Sequence, residues 1–271
     1  MSRRIILCAD DYGLSPGVSL AIRDLIARRR INATSVMMLF PDRVEEAGRL
    51  DIVAQDTGVS IGLHVTLTGG FAPLAAAPLG GERLPSLGQL LAAAMLRGID
   101  TRAIAAEVTA QFQAFEAAYG RAPDHVDGHQ HAHVLPMVRA VVLDIAAQRA
   151  PGALLRDCTQ APRARLGLDL KGRLISRLSA GLASQAGARG LRVNRGFAGA
   201  YDFSPGTDFA ALLAHCAGGL DDGGLMMVHP GHVDEILRGR DRVHEAREME
   251  YGVLAGADAP ALLAKAGVTL A

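Results

Sequence analysis

The stretch RIILCADDYG at residues 4–13 indicates the class of fold. Its apolar part, residues 4–9, is too short for a signal-peptide core and is followed at once by Asp10 and Asp11, so it predicts a buried first strand. Short apolar runs of this kind recur along the chain and alternate with longer, Ala- and Leu-rich segments of helical period. About seven strand-then-helix repeats predict an α/β fold, in which a parallel sheet is covered by outer helices.

The same patterns give the expected bounds of the elements. Strands are predicted at residues 4–9, 34–39, 59–65, 125–127, 154–157, 191–194 and 225–229. Helices are predicted at residues 17–30, 42–55, 102–119, 136–149, 209–218 and 245–255.

Polar side chains stand at the carboxyl ends of most of these strands, namely Asp10, Asp11, His64, Asp127, Arg156, Asp157 and His229. Parallel strands bring their carboxyl ends to one face, which is where the active sites of barrels lie. This placement favours a distorted (β/α) TIM-like barrel over an open doubly wound sheet. We therefore predict that chemistry scattered along the sequence converges at one site.

Composition excludes several classes of protein. The chain has 271 residues, 49% of them hydrophobic, and a formal net charge of +0, so it suits a single domain over 1–271 and gives no reason to expect a nucleic-acid partner. Its three cysteines are far apart and lack C-x-x-C spacing, which indicates reduced thiols. No stretch approaches the roughly 20 apolar residues of a transmembrane span. We expect a cytoplasmic protein, and a homo-oligomer stays open.

Asp10 and Asp11 are adjacent carboxylates next to a buried strand. Such groups are costly unless they are paired, hydrogen-bonded or bound to a cation. The alternative, that one of them caps the next helix, is weaker because Ser15 before Pro16 forms a better helix start. We expect one aspartate to bind a metal while the other faces the substrate.

The stretch HVDGHQHAH at residues 125–133 is the strongest sign of a metal site. Four histidines alternate here and Asp127 shares their parity, so an extended chain would project all of them to one side. Metal coordination with supporting residues explains such a density of imidazoles better than a core does. His64, which alone would more often be structural, then becomes a candidate ligand. His229, which closes the last predicted strand, should present its ring on the same face.

Together these residues supply what the hydrolysis of an amide by activated water requires. A metal held by one carboxylate and two imidazoles leaves positions open for water and a carbonyl oxygen. A second carboxylate takes a proton from the water, and His229 suits the acid that protonates the leaving amine. The chain has no Gly-rich phosphate loop.

Five motifs occur in order along the chain: ADDYGLS at residues 9–15, NATS at 32–35, GLHV at 62–65, HVDGHQH at 125–131 and VHP at 228–230. In series they resemble the YdjC-like carbohydrate deacetylases, a family that includes chitooligosaccharide deacetylases and hopanoid-biosynthesis-associated members. The resemblance implies a distorted (β/α) barrel, a divalent metal, and removal of acetyl groups from N-acetylglucosamine units. The substrate it implies is a carbohydrate, either an oligosaccharide or a lipid-linked glycoconjugate.

The resemblance also implies roles for individual residues. The implied metal ligands are Asp11, His64 and His129. The implied catalytic residues are Asp10 as general base and His229 as general acid. The implied supporting residues are Asp127, which would orient an imidazole, and His131 and His133. Mg²⁺ is the first expectation for the metal because the family is commonly assigned it, and Zn²⁺ is second because an Asp/His/His set suits it.

Contacts with the sugar are less defined by the sequence. Four aromatic residues could stack on a sugar ring or belong to the core, namely Tyr12, Phe71, Phe197 and Tyr201. Arg156 and Arg195 could bind sugar hydroxyls or a carboxylate, or pair with an aspartate at the mouth of the barrel. The loop at 69–88 is expected to lie over the site. The Arg-rich segment at 161–192 is either an amphipathic insertion contacting an anionic partner or a solvated surface helix.

Two other classes of function use the same features. A metal-dependent phosphoesterase, or another amidohydrolase, would employ the same ligands on a different bond. A non-catalytic carbohydrate- or metal-binding module would keep the ligands but show no turnover.

Overall fold

The computed structural model describes residues 2–166 and 170–271, in which nine strands form one parallel sheet. The order across the sheet is β6-β5-β4-β3-β2-β1-β8-β7, and β9 pairs with the start of β1. The strands are β1 Arg3–Tyr12, β2 Ala33–Val36, β3 Ser60–Val65, β4 His125–Gly128, β5 Leu154–Leu155, β6 Arg192–Val193, β7 Phe197–Ala198, β8 Leu225–Val228 and β9 Val268–Leu270.

Helices follow most of the strands and cover the outside of the sheet. They are α1 Pro16–Ala27, α2 Arg43–Ala54, α3 Leu87–Met95, α4 Thr101–Tyr119, α5 Val138–Arg149, α6 Leu170–Ser179, α7 Leu182–Gly187, α8 Phe209–Gly219, α9 Glu235–Arg240, α10 Glu245–Ala255 and α11 Ala259–Lys265. Within the described residues, no helix is both long enough and apolar enough to span a membrane.

The sheet curls into a distorted half-barrel, which confirms the predicted fold class. A single parallel bridge joins Gln160, beyond β5, to Phe197 in β7, so the two ends of the sheet approach each other. The longest strand, β1, lies between β2 and β8 and is buried from Leu7 onward because its RIILCADDY sequence is apolar until the aspartates. This geometry brings the carboxyl ends of β1, β3, β4 and β8 to one face.

Most predicted elements are present, with shifted ends. The predicted cap of α1 is confirmed, since Ser15 Oγ accepts a hydrogen bond from the Val18 amide and Pro16 is the first helical residue. The sequence did not predict α3, α9, α11, β7 and β9, which are short, while α6 and α7 lie within the 161–192 segment, for which a surface helix was one interpretation. The helix α3 begins inside the predicted 69–88 loop, where Ser86 and Gln89 form a capping box.

The prediction of one extended run over residues 125–133 is wrong beyond Gly128. The strand β4 ends there, and a 3₁₀ turn follows at His129–Val134. Gln130 and His131 take positive φ values of 52° and 59°, so the alternation of side chains breaks. The histidines therefore point to different partners instead of one side.

Candidate active site

A bulge in β1 allows both neighbouring aspartates to face the same cleft. Against β2, Ala9 pairs with Thr34 and Tyr12 with Val36, so β1 carries one extra residue in this interval. Asp11 takes a left-handed φ of 69°, which is strained for a residue other than glycine. In a regular strand, neighbours point to opposite faces, whereas here Asp10 and Asp11 both line the cleft.

Asp11, His64 and His129 bring three ligand atoms together from β1, β3 and the turn after β4. Asp11 Oδ1 lies 3.2 Å from His64 Nε2 and 3.0 Å from His129 Nδ1. One ligand atom from each residue lies within 4.8 Å of the others, and all three residues are buried. One carboxylate oxygen and two imidazole nitrogens are a donor set that divalent metals accept. The residues present therefore fit a metal ion.

Two other groupings of donors in the described chain share Asp127, with Cys8 and His125 or with Asp10 and His64. The Asp127 carboxylate is already used, because Oδ1 lies 2.6 Å from His64 Nδ1 and Oδ2 contacts both Ser35 Oγ and Arg156 Nη2. Asp127 thus orients the His64 ring with Nε2 toward Asp11. This is the contact expected for a residue that supports a ligand.

Electrostatics hold Asp11 in its charged form. Burial would raise its pKa, but the Arg247 guanidinium, whose Nη2 lies 2.6 Å from Asp11 Oδ2, and His129 hold the pKa well below its usual range. Burial would lower the pKa of His64, yet the neighbouring carboxylates of Asp127 and Asp11 raise it to about 10. A divalent cation held by these groups would compete with a proton for the His64 ring.

Asp10 is held by a second arginine. Arg156 Nη1 and Nη2 each donate to one Asp10 oxygen at 2.6 Å, a bidentate pair in which the arginine is fully buried. Arg156 Nη2 also contacts Asp127, so one guanidinium joins the two carboxylates behind the cleft. The orientation of Asp10 is therefore set by the protein before any ligand binds.

A buried polar chain extends behind Asp127. Ser35 Oγ, which donates to Asp127, lies 3.3 Å from His125 Nε2, and His125 Nδ1 lies 2.9 Å from Ser60 Oγ. The His125 ring occupies the space that a side chain at position 62 would need, because a Cβ on Gly62 would lie 2.2 Å from His125 Cδ2. This packing explains why the GLHV motif carries glycine before its histidine.

The two other histidines of the stretch are buried beside the site. His133 Nε2 donates to the carbonyl oxygen of Arg156 at 2.9 Å, and burial lowers its pKa to about 4. His131 lines the cleft and places Nδ1 3.5 Å from Cys158 Sγ. His133 thus contacts Arg156 and His131 lines the cleft, but neither belongs to the Asp11, His64 and His129 group.

His229 follows β8 and lies across the cleft from the histidine pair. Its Nε2 is 4.0 Å from Asp10 Oδ2, and its buried Nδ1 has no hydrogen-bond partner among the described residues. Burial lowers the pKa of the ring to about 4. The backbone amide of His229 donates to Glu250 Oε2 at 2.5 Å, and Tyr201 donates to Glu250 Oε1 at 2.7 Å.

The cleft above these groups has a volume of about 270 Å³ and an apolar outer wall. Its floor carries Asp10, Asp11, His64 and His129, with His229 and Arg247 at one side. The wall is lined by Leu87, Leu91, Val134, Leu135, Leu174, Ile175, Leu178 and Phe203. Of the 161–192 segment that was predicted to lie near the site, α6 contributes three of these wall residues, and residues 167–169 lie outside the described residues.

The two arginines considered as substrate contacts lie in different environments. Arg156 is fully buried under Asp10, so the alternative of aspartate pairing is the correct one. Arg195 is exposed beside Gly223, whose amide contacts Arg4 at the opposite end of the sheet. Sequence alone could not distinguish these two arginines, since each follows a short strand.

The aromatic candidates also belong mainly to the core. Tyr12 is fully buried and its hydroxyl contacts Glu46, Phe197 is buried against His131, and Tyr201 binds Glu250. Phe71 packs edge-on against Phe40 near His129.

Three residues that line or support the cleft were missed. Phe203 packs edge-on against His229 with ring centroids 5.2 Å apart. Arg247 and Glu250, both buried, project from α10 toward Asp11 and His229. Helical spacing held a signal for Glu250, because it lies between Ala246 and Leu254 on the buried face of α10, where an apolar residue is expected.

Comparison with known proteins identifies the family of the chain and a solved structure with a similar fold. A family model described as YdjC-like protein matches residues 4–265. Chitooligosaccharide deacetylases of Yersinia pestis (strain Pestoides F) and Yersinia pseudotuberculosis serotype O:1b (strain IP 31758) are each 34% identical over 151 residues, which cover 55% of this chain and 58% of theirs. The match thus spans little more than half the length of these curated relatives.

A solved structure resembles the whole chain. The crystal structure of an Enterococcus faecalis V583 protein named for cellobiose-phosphate cleavage has a TM-score of 0.75 and covers 100% of this chain and 97% of its own. At 20% identity the likeness concerns the fold, and it agrees with the curled parallel sheet.

Proposed function

Since the chain belongs to the YdjC-like family, we propose that it is a metal-dependent hydrolase that removes acetyl groups from N-acetylated amino sugars. The observation that carries the proposal is the convergence of Asp11, His64 and His129 on one point beside Asp10 and His229. The naming of its Yersinia relatives as chitooligosaccharide deacetylases supports the choice of substrate. The substrate is an N-acetylglucosamine-containing oligosaccharide or glycoconjugate.

Asp11, His64 and His129 would hold a divalent ion, with Mg²⁺ as the first choice and Zn²⁺ as the second. Such an ion polarises the amide carbonyl and lowers the pKa of a water molecule. Arg247 and Asp127 support the ligands, because they fix the second oxygen of Asp11 and the second nitrogen of His64.

Asp10 acts as the general base that removes a proton from the attacking water. The bidentate contact with Arg156 fixes its carboxylate at the floor of the cleft. Attack on the amide carbon breaks the C–N bond, releasing acetate and an amine, and the nitrogen needs a proton as it leaves.

His229 delivers that proton. Because burial lowers its pKa to about 4, the ring is neutral near pH 7 and receives a proton during the reaction. Its Nε2 lies 4.0 Å from Asp10 Oδ2, so the proton taken from water has a short route to the leaving nitrogen. One proton thus moves from water through Asp10 and His229 to the amine.

A phosphoesterase that uses the same ligands is a weaker candidate. It would benefit from a cation free to bind the phosphate, whereas Arg156 and Arg247 at this site are each paired with aspartates. A module without catalysis would have no need for a carboxylate fixed beside the metal ligands.

The test measures acetate and phosphate release from N-acetylated chitooligosaccharides and model phosphoesters, after reconstitution with Mg²⁺ or Zn²⁺. We expect acetate release that a chelator abolishes. Metal analysis of His64→Ala and His129→Ala should show lowered occupancy, while His215→Ala, at an exposed histidine on α8, should retain the ion. Full occupancy in both ligand variants would refute the assignment, and phosphate release without acetate would favour the phosphoesterase.

A further inference from the structure

The outer rim of the cleft exposes large apolar side chains on two helices. We define the α3–α6 rim as α3 with Leu96 and Arg97 after it, together with α6. In α6, Leu170 is 76% exposed and Leu174 is 48% exposed. At the end of α3, Met95 is 63% exposed and Leu96 is 83% exposed. Both helices also line the cleft, through Leu91 of α3 and Leu174 of α6, and exposed apolar side chains beside a cleft are typical of an interaction site.

The exposed side chains are continuous with the wall of the cleft. Leu174 itself lines the cleft, and Leu178, one turn later in α6, extends the same row inward. On α3, Leu91 lines the cleft and Met95 follows it at i+4 on the same side of the helix. Whatever covers the rim therefore meets the opening of the proposed active site.

The charge of the rim has one sign. The α6 sequence LKGRLISRLS holds Lys171, Arg173 and Arg177 and no acidic residue, and α3 holds no charged residue before Arg97. The side chains of Arg173 and Arg177 form no ion pair with any residue in 2–166 or 170–271. On the chain as a whole the charges balance to +0, so this positive charge is a local feature.

The exposed apolar residues of α2 provide a contrast within the same molecule. Val44 and Ile52 are 63% and 73% exposed, but the charges around them have both signs, and Arg49 pairs with Glu45 and Glu46. A surface of mixed, paired charge does not attract an anionic surface, while arginines one turn apart beside leucines one turn apart are the pattern of a helix that lies on a membrane.

We infer that the α3–α6 rim binds an anionic membrane surface, with the leucines entering the interface and Arg173 and Arg177 contacting lipid phosphates. A nucleic acid would use the arginines and leave the leucines exposed to water. An acidic protein is the other partner with matching charge, and the test below separates it from a membrane.

The first experiment is co-sedimentation of the full chain with vesicles of phosphatidylcholine, with or without phosphatidylglycerol. We expect binding only to the anionic vesicles, weakened by salt. Arg173→Gln combined with Arg177→Gln should weaken binding about 30-fold, since each basic residue at such a surface contributes about fivefold. The matched control, Arg4→Gln with Arg28→Gln, removes two exposed arginines in β1 and at the end of α1 and should bind like the parent.

The second experiment uses fluorescence, because the chain contains no tryptophan. Leu170→Trp and Ile52→Trp place single emitters at sites of matched exposure, 76% and 73%. Anionic vesicles should shift the emission of the Leu170 variant to the blue and leave the Ile52 variant unchanged. Absence of binding, equal loss in both arginine pairs, or a shift in both reporters would overturn the inference. Binding to a polyglutamate protein but not to vesicles would overturn it in favour of an acidic protein.

Discussion

The floor of the cleft consists of charged side chains at the ends of β1, β3 and β4, whereas its outer wall consists of apolar side chains, most of them on α3 and α6. On the floor, each charged group is fixed by another: Asp10 by Arg156 and Asp11 by Arg247. On the wall, the side chains offer apolar contacts, which do not depend on orientation as hydrogen bonds do. The fixed charges of the floor therefore suit catalysis, and the apolar wall suits the exclusion of water and contact with a ligand.

This contrast predicts that floor variants change turnover or folding, while wall variants change binding. Charged hydrogen bonds in a buried site are costly to leave half-made. The free energy of an apolar contact is roughly proportional to the area that it buries. Substrate and transition state contact the wall equally, so the loss of such a contact weakens the binding of both.

The largest effect is expected for Asp10→Asn, which removes the proposed base without removing a metal ligand. Acetate release should fall by about 10³-fold or more, because general base catalysis contributes up to about 10⁴-fold, while metal content stays unchanged. The matched control is Asp202→Asn, at an exposed aspartate outside the cleft lining. Turnover within tenfold of the parent would remove Asp10 from the mechanism.

Next comes Arg156→Met, which leaves Asp10 and Asp127 buried without their shared cation. The free energy of unfolding should fall by about 3–5 kcal/mol, as for other broken buried pairs. Urea denaturation measures the change, with Arg195→Met as control at an exposed site and Arg156→Lys as a milder variant. Equal stability of the two methionine variants would contradict the structural difference between these arginines.

Glu250 predicts a pH dependence of stability. Burial raises its pKa from 4.5 to about 7, so the folded chain keeps a proton that the unfolded chain releases between these values. Unfolding free energy should therefore fall as the pH rises through this window, by up to about 3 kcal/mol from this group. Urea titrations of the parent and of Glu250→Gln should show a shallower fall in the variant. Parallel curves would show that Glu250 is not the source.

The smallest effect belongs to the wall. Leu91→Ala with Leu178→Ala should raise KM about tenfold with kcat within a factor of three, since about 1.4 kcal/mol of apolar contact is lost. Steady-state assays against a Leu20→Ala control, at an exposed residue on α1, measure this split. A fall in kcat at unchanged KM would mean that the wall acts in the chemical step.

The sequence was informative about the floor for a physical reason. Asp10, Asp11 and His64 follow apolar strands, where burial of a polar group is costly without a partner, so their presence indicated function. Their convergence followed from parallel topology. The arginine partners were not predictable in the same way, because Arg156 and Arg195 both follow a short strand, yet they lie at opposite ends of the sheet.

The periodicity of the sequence did not predict side-chain directions where the backbone departs from a regular strand or helix. The positive φ values of Gln130 and His131 broke the expected alternation, and the short helix α3 gave too few turns for its period to stand out. Glu250 and Arg247 come from α10, more than 200 residues after Asp11 in the chain, and local patterns carry no information on such pairings.

By itself, the sequence determined that this protein has a parallel α/β barrel with Asp11, His64 and His129 as ligand candidates beside Asp10, because burial cost and strand direction act locally. Only the tertiary structure decided which arginine holds which aspartate, how the bulge at Asp11 turns both carboxylates into the cleft, and which aliphatic side chains wall it. These features depend on contacts between distant segments, whose energies appear only when the chain is packed.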